Sequence, residues 1–137
     1  MIPQRINLIL YSTLAVIICY IDRVNISVAI IPMQEQFGWS DSQVGFIFSS
    51  FYLGYMLTMA LGGYLSDKFG GKRVLGWGVV LWSIFTILTP FAAHSGFFAL
   101  FFIRILMGVG EGVTFPAWHS LYARWIPFNE RTRAIAF

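Results

Sequence analysis

The sequence predicts an all-α membrane protein with four transmembrane helices and the start of a fifth. Three observations carry this. Hydrophobic residues make up 58% of the 137 positions and charged residues only 11%, against about 25% charged in a soluble domain. The apolar residues fall in four long runs, each near the roughly 20 residues that a helix needs to cross a bilayer. None of the runs shows the period-2 alternation, or the length of about 9–11 residues, of a barrel strand. A soluble chain of this size has too little interior to hide 14 Phe and the rest of its apolar surface.

The spans are expected at 6–31, 43–65, 74–93 and 96–121, with a truncated fifth from about 131. Polar links join them at Gln34–Asp41, Ser66–Arg73 and His94-Ser95, and Ala123–Glu130 follows the fourth. Arg5 ahead of an apolar run imitates a signal peptide, but the apolar pattern resumes after Asp22-Arg23 with no small-residue cleavage site between. Of the nine Lys and Arg, Arg5, Lys68, Lys72, Arg73, Arg124, Arg131 and Arg133 fall on one side, and none lies in the opposite links. The positive-inside rule then places the N-terminus in the cytoplasm of a multi-pass protein, with the plasma (inner) membrane as the expected location. Trp39, Trp77, Trp118 and Trp125 sit near expected span ends, where amphipathic rings gather, and Trp82 is expected between helices.

The two remaining basic residues, Arg23 and Arg104, lie within spans, as do Asp22 and Glu111. A charge at the bilayer centre costs about 2.5–3.5 kcal/mol even on the lenient translocon scale, so such groups default to function. Arg104 and Glu111 are seven residues apart, about 700° around a helix, and share one face about 10.5 Å apart. That gap leaves room for a ligand or for partners on another helix. Asp22 and Asn25 share a face of the first span, while Arg23 is turned by about 100°. Arg offers a permanently charged planar fork suited to a carboxylate or phosphate. Asp and Glu are the groups able to exchange protons.

The four charges sum to zero, so an entering anion leaves an excess that protonation of Asp22 or Glu111 removes. Anion uptake also opposes an inside-negative potential by about 2.3 kcal/mol per charge per 100 mV. The expected function is therefore secondary active transport: symport of a small organic anion, such as a sugar acid or other carboxylate, with H+ or alternatively Na+. Arg23, Arg104, Asn25 and Tyr52 are the expected substrate contacts, and Asp22 and Glu111 the coupling groups. Tyr20, Ser49, Ser50, Tyr55 and Thr58 are further polar groups inside spans, each accounted for by helix–helix hydrogen bonding. Packing explains Gly108, Gly110 and Gly112, and Pro116 is expected to kink or end its helix.

Other functions find little support. A net charge of +3 is too small and scattered for nucleic acid, and the single Cys19 allows no disulfide framework. No Cys, His and acid cluster has metal-ligand spacing, so no metal and no cofactor is expected. No phosphate-cradling Gly loop or nucleophile elbow supports an enzyme. A membrane scaffold or assembly subunit, and a channel formed by oligomerisation, remain as alternatives of another class.

Three motifs resemble the major facilitator superfamily. Gly63-Tyr-Leu-Ser-Asp67-Lys-Phe-Gly70-Gly71-Lys72-Arg73 is similar to its cytoplasmic signature between spans two and three. Arg104-Ile-Leu-Met-Gly108-Val-Gly110-Glu111-Gly112 and Tyr20-Ile-Asp22-Arg23-Val-Asn25 are similar to spans four and one of the anion:cation symporter branch. The resemblance implies that Gly63, Asp67, Gly71, Lys72 and Arg73 form a conformational latch. It implies anion-binding roles for Arg23 and Arg104, and proton-coupling roles for Asp22 and Glu111. It adds inorganic phosphate as an alternative substrate. Vesicular glutamate carriers have a His where this chain has Phe48, which counts against that subgroup. Members have twelve spans in two related halves, so the chain is expected to be part of an N-terminal six-helix bundle, with the C-terminal half as its partner.

Overall fold

The computed structural model describes residues 4–127. The expected fifth span, Arg131 and Arg133 lie outside the described residues, as does the side chain of Arg5. The described chain is helical throughout: α1 Gln4–Phe37, α2 Asp41–Phe69, α3 Gly71–Ser95, α4 Phe97–Gly112 and α5 Thr114–Trp125. Four helical stretches are long and apolar enough to cross a membrane, with α4 and α5 together forming the fourth, Phe97–Trp125.

The helices run on beyond their apolar cores. α1 continues to Phe37 because Met33, Gln34, Glu35 and Gln36 are good helix formers, although the last three are polar. It stops at Gly38, whose φ of +66° is the left-handed conformation that glycine adopts freely, and Trp39 N–H then donates to the Gln34 carbonyl at 3.2 Å. α2 opens on a capping box: the Ser40 hydroxyl accepts from Gln43 N–H at 3.3 Å, and the Gln43 side chain accepts from Ser40 N–H at 2.9 Å. The fourth span breaks where Pro116 supplies no N–H to the Gly112 carbonyl.

α4 lies between α2 and α3, and glycines set both contacts. Gly108 faces the Phe51 carbonyl and Tyr55 N–H of α2, and Gly112 faces Tyr55 and Thr58. Gly110, about 200° around from each, faces α3, where an added Cβ would meet Trp82 N at 2.9 Å. Small residues matter here because lipid gives helices no hydrophobic reason to associate, so backbone approach must. A Gly108→Ala change therefore forces α2 and α4 apart, at a cost of about 1–3 kcal/mol. Gly76, with open space around it, gains helix propensity on the same change, about 0.8–1 kcal/mol. Thermal unfolding of the full-length protein should show a lower Tm for Gly108→Ala and an equal or higher one for Gly76→Ala.

Apolar clusters close the bundle at both ends. Ile30, Trp39, Ile47, Ala92, Ala93 and Leu100 pack at one, and Leu121, Tyr122 and Ile126 with Leu8 and Ile9 at the other. Trp39 is thus a core residue stacked on Phe37, with centroids 5.1 Å apart, rather than part of an interfacial belt. Trp82 is buried between helices. Asp22, Arg23, Arg104 and Glu111 lie between these two apolar plugs.

Candidate functional site

On α1, Ser12, Cys19, Arg23, Ile26 and Ile30 recur at helical spacing; Arg23 is half-buried and the other four are buried. That stripe carries Arg23 to α4. Its Nε donates to Glu111 Oε1 at 2.6 Å, the single ion pair among the described residues. Glu111 is 1% exposed, and its second oxygen, Oε2, is buried without a hydrogen-bond partner among the described residues. Arg104 and Glu111 share their face of α4, and the partner that the gap between them admits is a residue of α1.

Arg104 stands differently. It is 3% exposed, its Nη1 reaches the Met107 sulfur at 3.3 Å, and its Nε has no partner among the described residues. A thioether is a weak acceptor, and among the described residues no carboxylate lies within ion-pair distance of Arg104. Its guanidinium is 5.1 Å from the centre of the Phe51 ring. Arg23 lies 5.3 Å from that same ring centre, 4.7 Å from Tyr55 and 5.4 Å from Tyr20. One aromatic ring of α2 therefore serves both cations.

Asp22 points toward α3. Thr86 Oγ1 approaches its Oδ2 at 3.4 Å, but the single hydroxyl proton is better placed for the Trp82 carbonyl at 2.9 Å. Asp22 and Arg104 line one cleft of about 260 Å³ together with Asn25, Thr86, Thr89 and Met107. The structure thus gathers Asp22, Arg23, Arg104 and Glu111 at one level: a closed pair, Arg23–Glu111, beside an open cleft holding Asp22 and Arg104. Asn25 is an exposed part of that cleft's rim. Tyr52 is exposed, its ring edge-on to Phe51 at 5.4 Å, and Tyr55 is the α2 tyrosine that stacks on Arg23. Phe51 and Thr86 were not expected. A phenylalanine among many carries no distinguishing signal, whereas a threonine in the middle of an apolar run is a mild one.

At the basic end, Gly71 is buried against the Ala117 carbonyl and Leu121 of α5. Gly63 meets open space, while its neighbour Gly62 packs on Pro116. Asp67, Lys72 and Arg73 are exposed, and the Asp67 carboxylate makes no ion pair among the described residues. Arg124 Nη2 donates to the Asp67 backbone carbonyl at 3.5 Å.

Residues 12–137 match the family model of the Major Facilitator Superfamily. The chain belongs to that superfamily. Among its relatives are a probable chloroplastic anion transporter 4 of rice, 50% identical over 98% of this chain, and a chloroplastic ascorbate transporter of Arabidopsis thaliana, 49% identical over 98%. A chloroplastic sodium-dependent phosphate transport protein 1 of Arabidopsis thaliana is also 49% identical over 98%. The chain covers 23%, 25% and 26% of these three proteins, about a quarter of their length. The match places its four spans in the N-terminal bundle of the Major Facilitator Superfamily fold. It is an integral multi-pass membrane protein. All three relatives are named chloroplastic, so the expected plasma membrane gains no support from them.

Proposed function

We propose that the protein containing this chain is a secondary anion transporter, and that the cleft between α1, α3 and α4 is its half of the substrate site. One observation supports this above the others: Arg104, buried at membrane depth, faces a cleft with no carboxylate in ion-pair range among the described residues. A cation left so is costly unless an anion comes to it.

The neighbouring groups fit a coupling cycle. Glu111 holds Arg23 through one oxygen and leaves the other free to take a proton. Protonation there cancels the charge that holds Arg23 and releases a second guanidinium toward the incoming anion. Asp22, lining the cleft with Arg104, repels that anion until it is protonated or bound by a cation. H+ serves both steps, and Na+ is the alternative; a relative's name, sodium-dependent phosphate transport protein, favours keeping it. The substrate is a small organic anion such as a sugar acid or other carboxylate, in line with the relative named an ascorbate transporter. Inorganic phosphate is the second reading, from the relative named for it. The names of the relatives also favour a chloroplast membrane, with the basic end of the bundle on the stromal side. Gly63, Asp67, Gly71, Lys72 and Arg73 would latch this bundle to the second half of the protein, which supplies Asp67 with its partner.

Reconstituted into liposomes, the full-length protein should accumulate ascorbate, gluconate or phosphate under an imposed pH or Na+ gradient. A scaffold or assembly subunit would give no flux, and an oligomeric channel would give conductance without coupling. Phe51→Leu, which keeps an apolar side chain but removes the ring shared by two guanidinium groups, should weaken substrate affinity by about 1–2 kcal/mol. The check is a raised KM for uptake with kcat less affected.

A further inference from the structure

A trough of about 320 Å³ lies between α2 and α3 on the outer side of α4. Val109 of α4 lies along it, two residues and about 200° around from Glu111, as does Val113 just past the end of α4. It therefore sits on the side of α4 turned away from the charged cleft. Gly78 and Gly110 pack closely against each other at its floor, where α3 meets α4.

Its polarity is lopsided. Thr58 and Arg73 are its two polar lining side chains, and the Thr58 hydroxyl already donates to the Gly54 carbonyl at 2.9 Å. Arg73 is exposed at the start of α3, at the same end as Lys68, Lys72 and Arg124, and has no carboxylate in ion-pair range among the described residues. From Arg73 to Leu81 the trough follows α3 for about 12 Å of helix rise. Trp77, 70% exposed, stands on the wall between them. One cation at the membrane surface above an apolar channel is complementary to an amphiphile with an anionic head. A soluble anion would find a single group to bind, and a protein segment would have to bring one acid on an otherwise apolar face.

We propose that this trough holds an anionic phospholipid of the surrounding bilayer. Its phosphate lies on the Arg73 guanidinium, which suits two-pronged hydrogen bonding, and one acyl chain runs past Trp77 toward Leu81 and Val109. Hydrocarbon gains little by leaving bulk lipid for an apolar groove, so selectivity rests on the head group and Arg73.

The test uses the full-length protein in vesicles of phosphatidylcholine containing brominated phosphatidylglycerol or brominated phosphatidylcholine at equal bromine content. Subtracting the signal of Trp77→Phe isolates Trp77 fluorescence. Brominated phosphatidylglycerol should quench it with an apparent preference of about fivefold, the scale of one basic residue at an anionic surface. Arg73→Gln should equalise the two lipids, and Arg73→Lys should keep part of the preference. Equal quenching in the native protein overturns the proposal, as does a preference that survives Arg73→Gln. So does a Trp77 quenched by neither lipid, because the trough is then covered by protein.

Discussion

Arg104→Ala abolishes uptake of the anion by the full-length protein, because the substitution removes the buried cation that the cleft presents without a carboxylate partner among the described residues. Truncating one member of a buried, hydrogen-bonded charge pair costs about 2–5 kcal/mol, which is a loss of at least about 30-fold at 1.4 kcal/mol per factor of ten. Arg104→Lys keeps the charge but loses the planar fork, and should recover part of the activity. Initial rates in proteoliposomes across a range of anion concentrations check this. Wild-type rates in the alanine variant would make Arg104 a packing residue.

Glu111→Gln has the second large effect, and it is a change of kind. Glutamine fills the same space and can still accept from Arg23 Nε, so the helices stay together and the cleft keeps its shape. It cannot lose or gain a proton, so anion exchange between equal pools should continue while gradient-driven accumulation disappears. Measuring both modes on one preparation separates this from misfolding, which removes both. Undiminished accumulation in Glu111→Gln would take coupling away from Glu111 and leave Asp22 as the candidate.

Much of the fold was legible because lipid imposes a simple rule: a spanning segment must satisfy its own backbone and face hydrocarbon over about 20 residues. Four such runs stand out in the sequence. Helix ends were less legible. Gln34, Glu35 and Gln36 leave the hydrocarbon and read as a link, yet their backbone stays helical until Gly38. Membrane depth governs polarity, whereas capping governs where a helix ends. In the candidate site, the charged residues were legible singly because each is expensive where it lies. Their pairing was not. Helical periodicity shows that Arg104 and Glu111 share a face but says nothing of which residue on another helix meets them; Arg23 takes Glu111, and Asp22 turns to the cleft. Phe51 was illegible for a plainer reason, since the chain has 14 phenylalanines and only packing singles out the one between two guanidinium groups.

Equilibrium binding of a radiolabelled anion, phosphate or ascorbate, to the purified full-length protein tests the central claim most directly, because it reads the cleft without requiring transport. Saturable binding should appear in the native protein, weaken in Arg104→Lys and vanish in Arg104→Ala. Binding of undiminished affinity in Arg104→Ala would show that the anion is held elsewhere, and that the buried charge of the α1–α3–α4 cleft serves the fold alone.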